Sequence, residues 1–236
     1  MNILAVDASG VAGSVAYIKE GKLAGEYYFC DKLTHSQTIM PMLEHMKSLI
    51  QMDLSEVDAV AVTSGPGSFT GLRIGVTAAK ALALALEVPI VGVPTLDVIA
   101  GALCFTPHYI CPMMDARRNQ VYTALYKRED EKLVRLTDYM AIDLNEYIES
   151  LKAYEGKIIF LGDGASVYQE MLQNILGEKV LFAPNFCNLQ RASVLGNLAE
   201  RLYAEGKGED PSLFVPMYLR KSQAEREKEE REKHDC

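Results

Sequence analysis

The sequence is poor in the residue types that mark metal sites, disulfide frameworks and nucleophilic hydrolases. It contains no tryptophan, four histidines and five cysteines among 236 residues. Neither Cys-x-x-Cys nor His-x-x-x-His occurs, although two ligands on one helical face need a spacing of three or four residues. Gly-x-Ser-x-Gly is also absent. We therefore expect no metal site, no catalytic nucleophile and reduced thiols in the cytoplasm.

Membrane attachment and broad nucleic-acid binding are disfavoured as well. The most apolar region, residues 78–105, is interrupted by charges such as Lys80 and Glu87, so it predicts no bilayer-spanning segment. Asp7 lies where a signal peptide would need apolar residues. The net charge is −8, whereas proteins that grip nucleic acid by its phosphates show a basic face. We expect a cytoplasmic protein that meets RNA only through a local patch or a partner.

The most informative segment is a glycine motif at residues 63–75, which reads Thr-Ser-Gly-Pro-Gly-Ser-Phe-Thr-Gly-Leu-Arg-Ile-Gly. It follows an apolar strand at 59–62 and precedes a predicted helix at 71–86, which Ser68 or Thr70 would cap. It lacks the Gly-Lys-Ser/Thr of a P-loop and the third glycine of a dinucleotide fingerprint. Glycines at a strand-to-helix junction predict a close approach of the backbone to another group.

The order of elements occurs twice along the chain. In each half, three predicted strands are followed by a helix, a strand and a helix, and the first strand ends at an aspartate, Asp7 or Asp115. This order predicts an α/β fold with two mixed-sheet lobes flanked by helices. It is the duplicated ribonuclease-H-like (actin-like, ASKHA ATPase) architecture. We predict an N-terminal lobe at 1–104, completed by a helix near 190–205, a C-terminal lobe at 105–222 and a charged tail at 223–236.

A nucleotide cleft of that architecture would use one hairpin turn from each half and a glycine loop for adenosine. Active members usually have a glycine two residues after the first aspartate, where this chain has Ser9, and the second turn at 115–119 has no glycine. The loop at 161–165 does resemble an adenosine loop. The alternative is that the aspartates and glycines only shape turns. The residues of this candidate vestigial cleft are Asp7, Ser9, Gly10, Asp115, Gly162 and Gly164.

Two predicted helices have the features of a protein interface. On the second, glycine and alanine recur every four residues, and such a stripe allows another helix to approach closely. The first is rich in methionine, which adapts to irregular partners. The alternative is that the two helices pack on each other within the chain. We favour a subunit interface formed by Ile39, Met42, Met46, Gly71, Arg73, Gly75, Ala79 and Ala83.

Arg73 is unusual because it lies in the first turn of its predicted helix. The helix macrodipole disfavours a cation there by up to about 1 kcal/mol. We therefore expect Arg73 to have a partner, which would be an acidic side chain, a phosphate or a carbonyl group. The alternative is a solvated arginine without a role.

Five segments resemble the TsaB (YeaZ) family, and the resemblance spans nearly the whole chain. They are ILAVD at 3–7, HS at 35–36, SGPGSFTGLRIG at 64–75, DARRNQVY at 115–122 and PMYLR at 216–220. The resemblance implies a non-catalytic subunit for threonylcarbamoyladenosine synthesis on tRNA. Its partner would be the paralogue TsaD, which carries the metal and transfers the threonylcarbamoyl group to the adenosine next to the anticodon.

The same resemblance implies further properties. TsaE, a P-loop ATPase, would join the assembly, the chain would form a homodimer when alone, and tRNA would be contacted indirectly through the complex. The chain would have no cofactor of its own, with weak ATP or ADP binding left open. The alternative function is a self-sufficient ATPase or kinase that binds magnesium-ATP through Asp7, Asp115 and Gly162–Gly164.

Overall fold

The computed structural model describes residues 1–31, 33–103, 105–130 and 132–220. The first lobe is a five-stranded mixed sheet in the order β3-β2-β1-β4-β5, in which β4 and β5 run parallel to β1. Its strands are β1 (Asn2–Asp7), β2 (Gly13–Lys19), β3 (Lys22–Phe29), β4 (Ala59–Gly65) and β5 (Ile90–Pro94).

Helices cover both faces of the first sheet. The helices of the chain are α1 (His35–Leu49), α2 (Phe69–Leu86), α3 (Thr95–Gly101), α4 (Leu144–Leu151), α5 (Asp163–Val167), α6 (Gln169–Leu176) and α7 (Ala192–Ala204). Ile3 and Ala5 of β1 pack with α7, whereas Leu4 and Val6 pack with α1. Because successive side chains point to opposite faces, a strand covered on both sides is apolar throughout.

The second lobe repeats the arrangement. Its strands are β6 (Tyr109–Asp115), β7 (Gln120–Thr123), β8 (Tyr126–Glu129), β9 (Lys132–Arg135), β10 (Met140–Asp143), β11 (Ile158–Leu161) and β12 (Val180–Phe182). The order is β10-β7-β6-β11-β12, with β8 paired to β6 and β9. Apart from the inserted β8–β9 hairpin, this is the strand order of the first sheet. The predicted duplication of a mixed-sheet lobe is confirmed.

The structure corrects several predicted elements. The predicted second half has three strands before its first helix, whereas the structure has five, β6 to β10, before α4. The helix that follows β11 is divided at Tyr168 into α5 and α6, and β5, α3 and β12 lie outside the predicted order. The predicted lobe boundaries stay predictions; α7 packs on the first sheet, and the tail at 223–236 lies outside the described residues.

The stripe of small residues on α2 faces the inside of the lobe, not a partner. Gly71 is so close to the first turn that a β-carbon there would overlap the carbonyl oxygen of Ala8, and Gly75 lies against the Ala8 side chain. Ala79 and Ala83 are fully buried against β4 and β5. The prediction that these four residues contact another subunit is therefore wrong, because Ala8 lies against the two glycines and the core of the lobe covers the two alanines.

Within the described part of the chain, α2 is the one helix long and apolar enough to cross a membrane by length and composition. The expectation that no segment meets this test is corrected. Leu72 and Val76 are nevertheless buried in the lobe together with the small residues, as in the core helix of a folded domain.

A C-terminal strap, residues 209–220, follows α7 along the first lobe. Glu209 and Ile90 exchange backbone hydrogen bonds of 2.8 and 3.0 Å. Phe214 is 3% exposed and fills the space beside Gly92. Lys80 of α2 donates to the carbonyl oxygens of Ser212 and Phe214. The strap therefore extends the core of the first lobe, although its pattern is not that of a helix or strand.

We predict that Gly71→Ala lowers the free energy of unfolding by about 2 kcal/mol, because the added methyl group has no room beside the Ala8 carbonyl. Gly75→Ala is the matched control, since its β-carbon would lie 3.3 Å from that of Ala8 and alanine favours helix by about 1 kcal/mol. Urea unfolding followed by circular dichroism measures both. Equal effects of the two substitutions would contradict the account of this contact.

Candidate functional site

The glycine motif closes over the turn that follows β1. Ser68 donates its backbone N–H to the carbonyl oxygen of Ser9 at 2.7 Å, and a β-carbon at Gly67 would overlap the same oxygen. The Ser68 side chain caps α2 by accepting from the Gly71 N–H at 3.3 Å, as predicted. A helix N-terminus is a ready place for an anion, but here a carbonyl oxygen of the protein lies beside it.

Asp7 is completely buried beneath this contact. Its Oδ1 accepts three hydrogen bonds, from the Ser9 N–H and hydroxyl at 2.8 Å each and from the Thr63 hydroxyl at 3.1 Å. Its Oδ2 has no partner in the structure. Burial raises the pKa of the Asp7 carboxyl above its ordinary value, and the hydrogen bonds and His35 offset only part of this. Asp7 therefore stabilises the turn from within, and its carboxyl is not exposed to solvent.

Gly10 completes the first turn. Its carbonyl oxygen accepts from Nε2 of His35 at 2.9 Å, and a β-carbon at Gly10 would overlap the amide of Gln190, which is 1% exposed. The glycine thus makes room for side chains of the protein. His35 holds the turn that follows Asp7 through this hydrogen bond, whereas the buried Gln190 side chain packs beside the turn and its Nε2 has no hydrogen-bond partner.

The second turn has an uncommon backbone. Arg117, Arg118 and Asn119 all have left-handed conformations, with φ of 63°, 55° and 58°. Left-handed residues other than glycine cost about 1 kcal/mol each, so the surrounding contacts must hold them. Asp115 Oδ1 accepts from the Arg117 N–H at 2.9 Å, and Leu144 donates its N–H to the Asn119 carbonyl at 2.9 Å.

The loop predicted to hold adenosine packs closely against β6. Gly162 has φ of 102°, and a β-carbon there would overlap the Met113 carbonyl oxygen. A β-carbon at Gly164 would meet the backbone of Met114 at 2.9 Å. Both glycines are buried. Close packing against β6 therefore explains why both positions are glycine, and their role in a nucleotide cleft stays a prediction.

A cleft of about 380 Å³ nevertheless remains between the two lobes. Asp115 and Asp163 lie on the side of the cleft that the second lobe forms. Burial raises the pKa of the Asp163 carboxyl. Asp115 accepts from Tyr168 and forms an ion pair with Arg117 at 3.2 Å. Of the six candidate cleft residues, Gly10 and Asp115 line this space, whereas Asp7, Ser9, Gly162 and Gly164 do not. In the described residues, no three metal-ligating side chains cluster together.

A second concave surface lies between α1 and α2, and we call it the helix groove. Its volume is about 700 Å³. Its lining is mainly apolar, from Ile39, Met40, Ile74, Ala78 and Leu82, with Met40 48% exposed. Thr77 and Ala81 are exposed on the same helix face.

The structure places the remaining interface candidates in two settings. Ile39 contributes to the floor of the helix groove but is 1% exposed, and Met42 and Met46 are buried in the core. The prediction that these two methionines contact another subunit is wrong, because they pack under β1 and β2. Arg73 is exposed at the groove, and its guanidinium lies over the Phe69 ring at 4.1 Å. The partner that the structure gives to Arg73 is thus an aromatic ring, not an anion.

Several important residues carry no sequence signal. Met40 belongs to the methionine-rich helix that the sequence predicts as an interface, but the sequence does not distinguish it from the buried Met42 and Met46. Ile74 carries no signal, because its helical spacing equals that of core residues. No sequence motif around Gln190 indicates that its side chain packs against the first turn. Thr63 could have been noticed as a polar residue that ends an apolar strand beside a glycine motif.

The chain is similar to known proteins over nearly its full length. Residues 32–228 match the family model described as "TsaD: tRNA N6-adenosine threonylcarbamoyltransferase". The TsaB protein of Bacillus subtilis, described as a tRNA threonylcarbamoyladenosine biosynthesis protein, is 34% identical over 95% of this chain and 96% of its own length. A solved Pseudomonas aeruginosa protein, described as similar to the peptidase YeaZ, has a TM-score of 0.79 at 27% identity, covering 93% of this chain and 99% of that one.

A more distant likeness concerns the fold alone. The activator of 2-hydroxyisocaproyl-CoA dehydratase from Clostridium difficile, solved with bound ADPNP, has a TM-score of 0.50 at 10% identity and covers 87% of this chain and 97% of that one. Fold and site together define a two-lobed protein of the duplicated ribonuclease-H-like, actin-like class whose first turn is closed. The chain belongs to the TsaB (YeaZ) branch of the TsaD family, and it has a role in tRNA threonylcarbamoyladenosine biosynthesis.

We predict that Asp7→Asn stabilises the protein at neutral pH. Below the pKa of Asp7 in the unfolded chain, near 4, the Asp7 carboxyl is neutral in both the folded and the unfolded parent protein. The stability of the variant then differs little from that of the parent. As the pH rises, the unfolded chain ionises freely while the folded chain must ionise a buried group, so the parent protein loses stability until the raised pKa is passed. The gain in the variant is about 1.4 kcal/mol for each unit of pKa elevation.

Unfolding by urea from about pH 2 to about pH 8 measures this difference. Asp53→Asn is the control, because hydrogen bonds from Ser55 lower the pKa of Asp53, and its replacement should lose stability as the pH rises. A difference in stability between parent and Asp7→Asn that does not change with pH would refute the raised pKa of the buried Asp7 carboxyl.

Proposed function

We propose that this chain is a scaffold and activator subunit that pairs with TsaD through the helix groove. TsaD then transfers the threonylcarbamoyl group to the adenosine next to the anticodon. The exposed, mainly apolar groove between α1 and α2 carries this proposal. Apolar surface of this kind, rimmed by polar residues, is typical of a protein interaction site.

The lining of the groove suits a helical partner. Ile74, Ala78 and Leu82 are spaced by four residues along α2, so they form one ridge beside Met40 of α1. Arg73, held over Phe69 at the end of that ridge, supplies a cation to the rim. A paralogue with the same fold has the corresponding helices, which supports pairing of the two chains groove to groove. The same surface serves a homodimer when TsaD is missing.

The closed first turn supports a role without catalysis by this chain alone. The carbonyl oxygen of Ser9 accepts from the Ser68 N–H at the start of α2, and Asp7 is buried, which supports a chain that does not turn over magnesium-ATP by itself. The metal and the chemistry then belong to TsaD. TsaE joins this pair, and tRNA is contacted through the complex.

Thr77→Arg and Ala81→Arg test the groove, because both residues are exposed and bulk there blocks close helix packing without entering the core. We predict that either change weakens binding to TsaD at least about 30-fold, or about 2 kcal/mol, by isothermal titration calorimetry. Val167→Arg, at a 61% exposed position on the other lobe, is the matched control and should bind normally. Unchanged affinity of both groove variants would reject the groove as the TsaD site.

Phosphate release tests whether the chain hydrolyses ATP by itself. We predict that the purified chain with magnesium and ATP releases phosphate no faster than the Asp7→Asn variant, because the first turn is closed to nucleotide. A coupled phosphate assay on both proteins gives the comparison. Turnover by the parent that Asp7→Asn abolishes would contradict the scaffold role and favour the alternative of an ATPase.

A further inference from the structure

The C-terminal strap crosses from the first lobe to the second at the mouth of the cleft. Met217 donates its N–H to the Ser64 carbonyl at 2.7 Å, next to the glycine motif. The Tyr218 ring then packs on the Phe69 ring, with centroids 4.9 Å apart. Arg220 finally donates from Nη1 to the Ala116 carbonyl of the second turn at 3.0 Å. A segment of four residues thus spans both lobes.

These contacts complete a bridge between the two turns. The first turn is bonded to the loop of the glycine motif through Ser9 and Ser68, that loop lies beside the strap, and the strap is bonded to the second turn. In two-lobed proteins that close around a ligand, the ligand itself bridges the lobes and fixes their orientation. Here each link of the bridge belongs to the chain.

We propose that the C-terminal strap is a clasp that holds the two lobes in one orientation, in the position where a bridging ligand would otherwise act. The strap is anchored firmly enough for this role, since Phe214 is buried in the first lobe and Lys80 binds two strap carbonyls. A charged donor such as Arg220 also makes a stronger hydrogen bond than a neutral one. The proposal does not depend on the helix groove or on TsaD.

The two lobes are also joined by a contact away from the cleft. The clasp therefore controls the angle between the lobes and is not needed to keep them together. Asp97 of α3 accepts from the hydroxyls of Tyr126 and Tyr139, and none of the three lines the cleft. The lobes are therefore joined away from the cleft, and the strap is the contact at its mouth. Leu96 and Ile99 of α3 also pack with Ile110 of the second lobe in one buried apolar cluster. Release of Arg220 therefore leaves the lobes joined at α3 but removes the bridge at the mouth of the cleft, which widens the range of inter-lobe orientations.

Pulsed electron spin resonance tests the clasp directly. Spin-labelled non-natural residues replace Glu44 on α1 and Asn174 on α6, both exposed and one in each lobe. We expect a single narrow distance distribution for the parent chain and a distribution at least about twice as wide for Arg220→Ala. Leu213→Ala, at a 75% exposed strap position, is the matched control and should match the parent.

A second variant separates release of the clasp from a local defect at Arg220. Lys80→Ala removes the two bonds that anchor the strap to α2 and should widen the same distribution, with circular dichroism unchanged. Narrow, parent-like distributions in both Arg220→Ala and Lys80→Ala would overturn the proposal. Equal widening by Leu213→Ala would also overturn it, because the effect would not arise from the bridging contacts.

Discussion

The contact between the start of α2 and the backbone of Ala8 and Ser9 is the constraint on which the rest of the first lobe depends. It requires glycine at 67 and 71, since a β-carbon at either position would overlap a carbonyl oxygen. It buries Asp7 and turns Ser9 inward. It also decides that the small-residue face of α2 points into the lobe, so that the opposite, larger apolar face remains for the helix groove.

The same constraint shapes the side of the cleft that the first lobe contributes. The backbone of the first turn is hydrogen-bonded to the glycine motif through Ser9 and Ser68. The second turn has three left-handed residues and an Asp115–Arg117 ion pair at the edge of the same cleft. What the fold retains is its two-lobed shape and its outer helices, and these are the features that a partner subunit can recognise.

The sequence predicts the lobes well because strands such as β1 and β4 are uninterrupted apolar segments between clear turns. It does not predict which face of α2 is buried, since glycine every four residues has the same pattern beside another helix or beside the chain's own Ala8. The strap has no periodicity at all, and Arg220 gains meaning only from its distance to Ala116. The left-handed turn at 117–119 cannot be predicted from the sequence, because none of its residues is glycine.

Hydrogen exchange at the Ser68 amide tests the central claim most directly. This N–H lies outside the hydrogen-bonding pattern of α2 and donates to Ser9, so its protection reports closure of the first turn. The account predicts slow exchange at Ser68 that magnesium-ATP does not change. Fast exchange, or exchange that depends on nucleotide, would mean that the first turn opens and that the chain retains a working cleft.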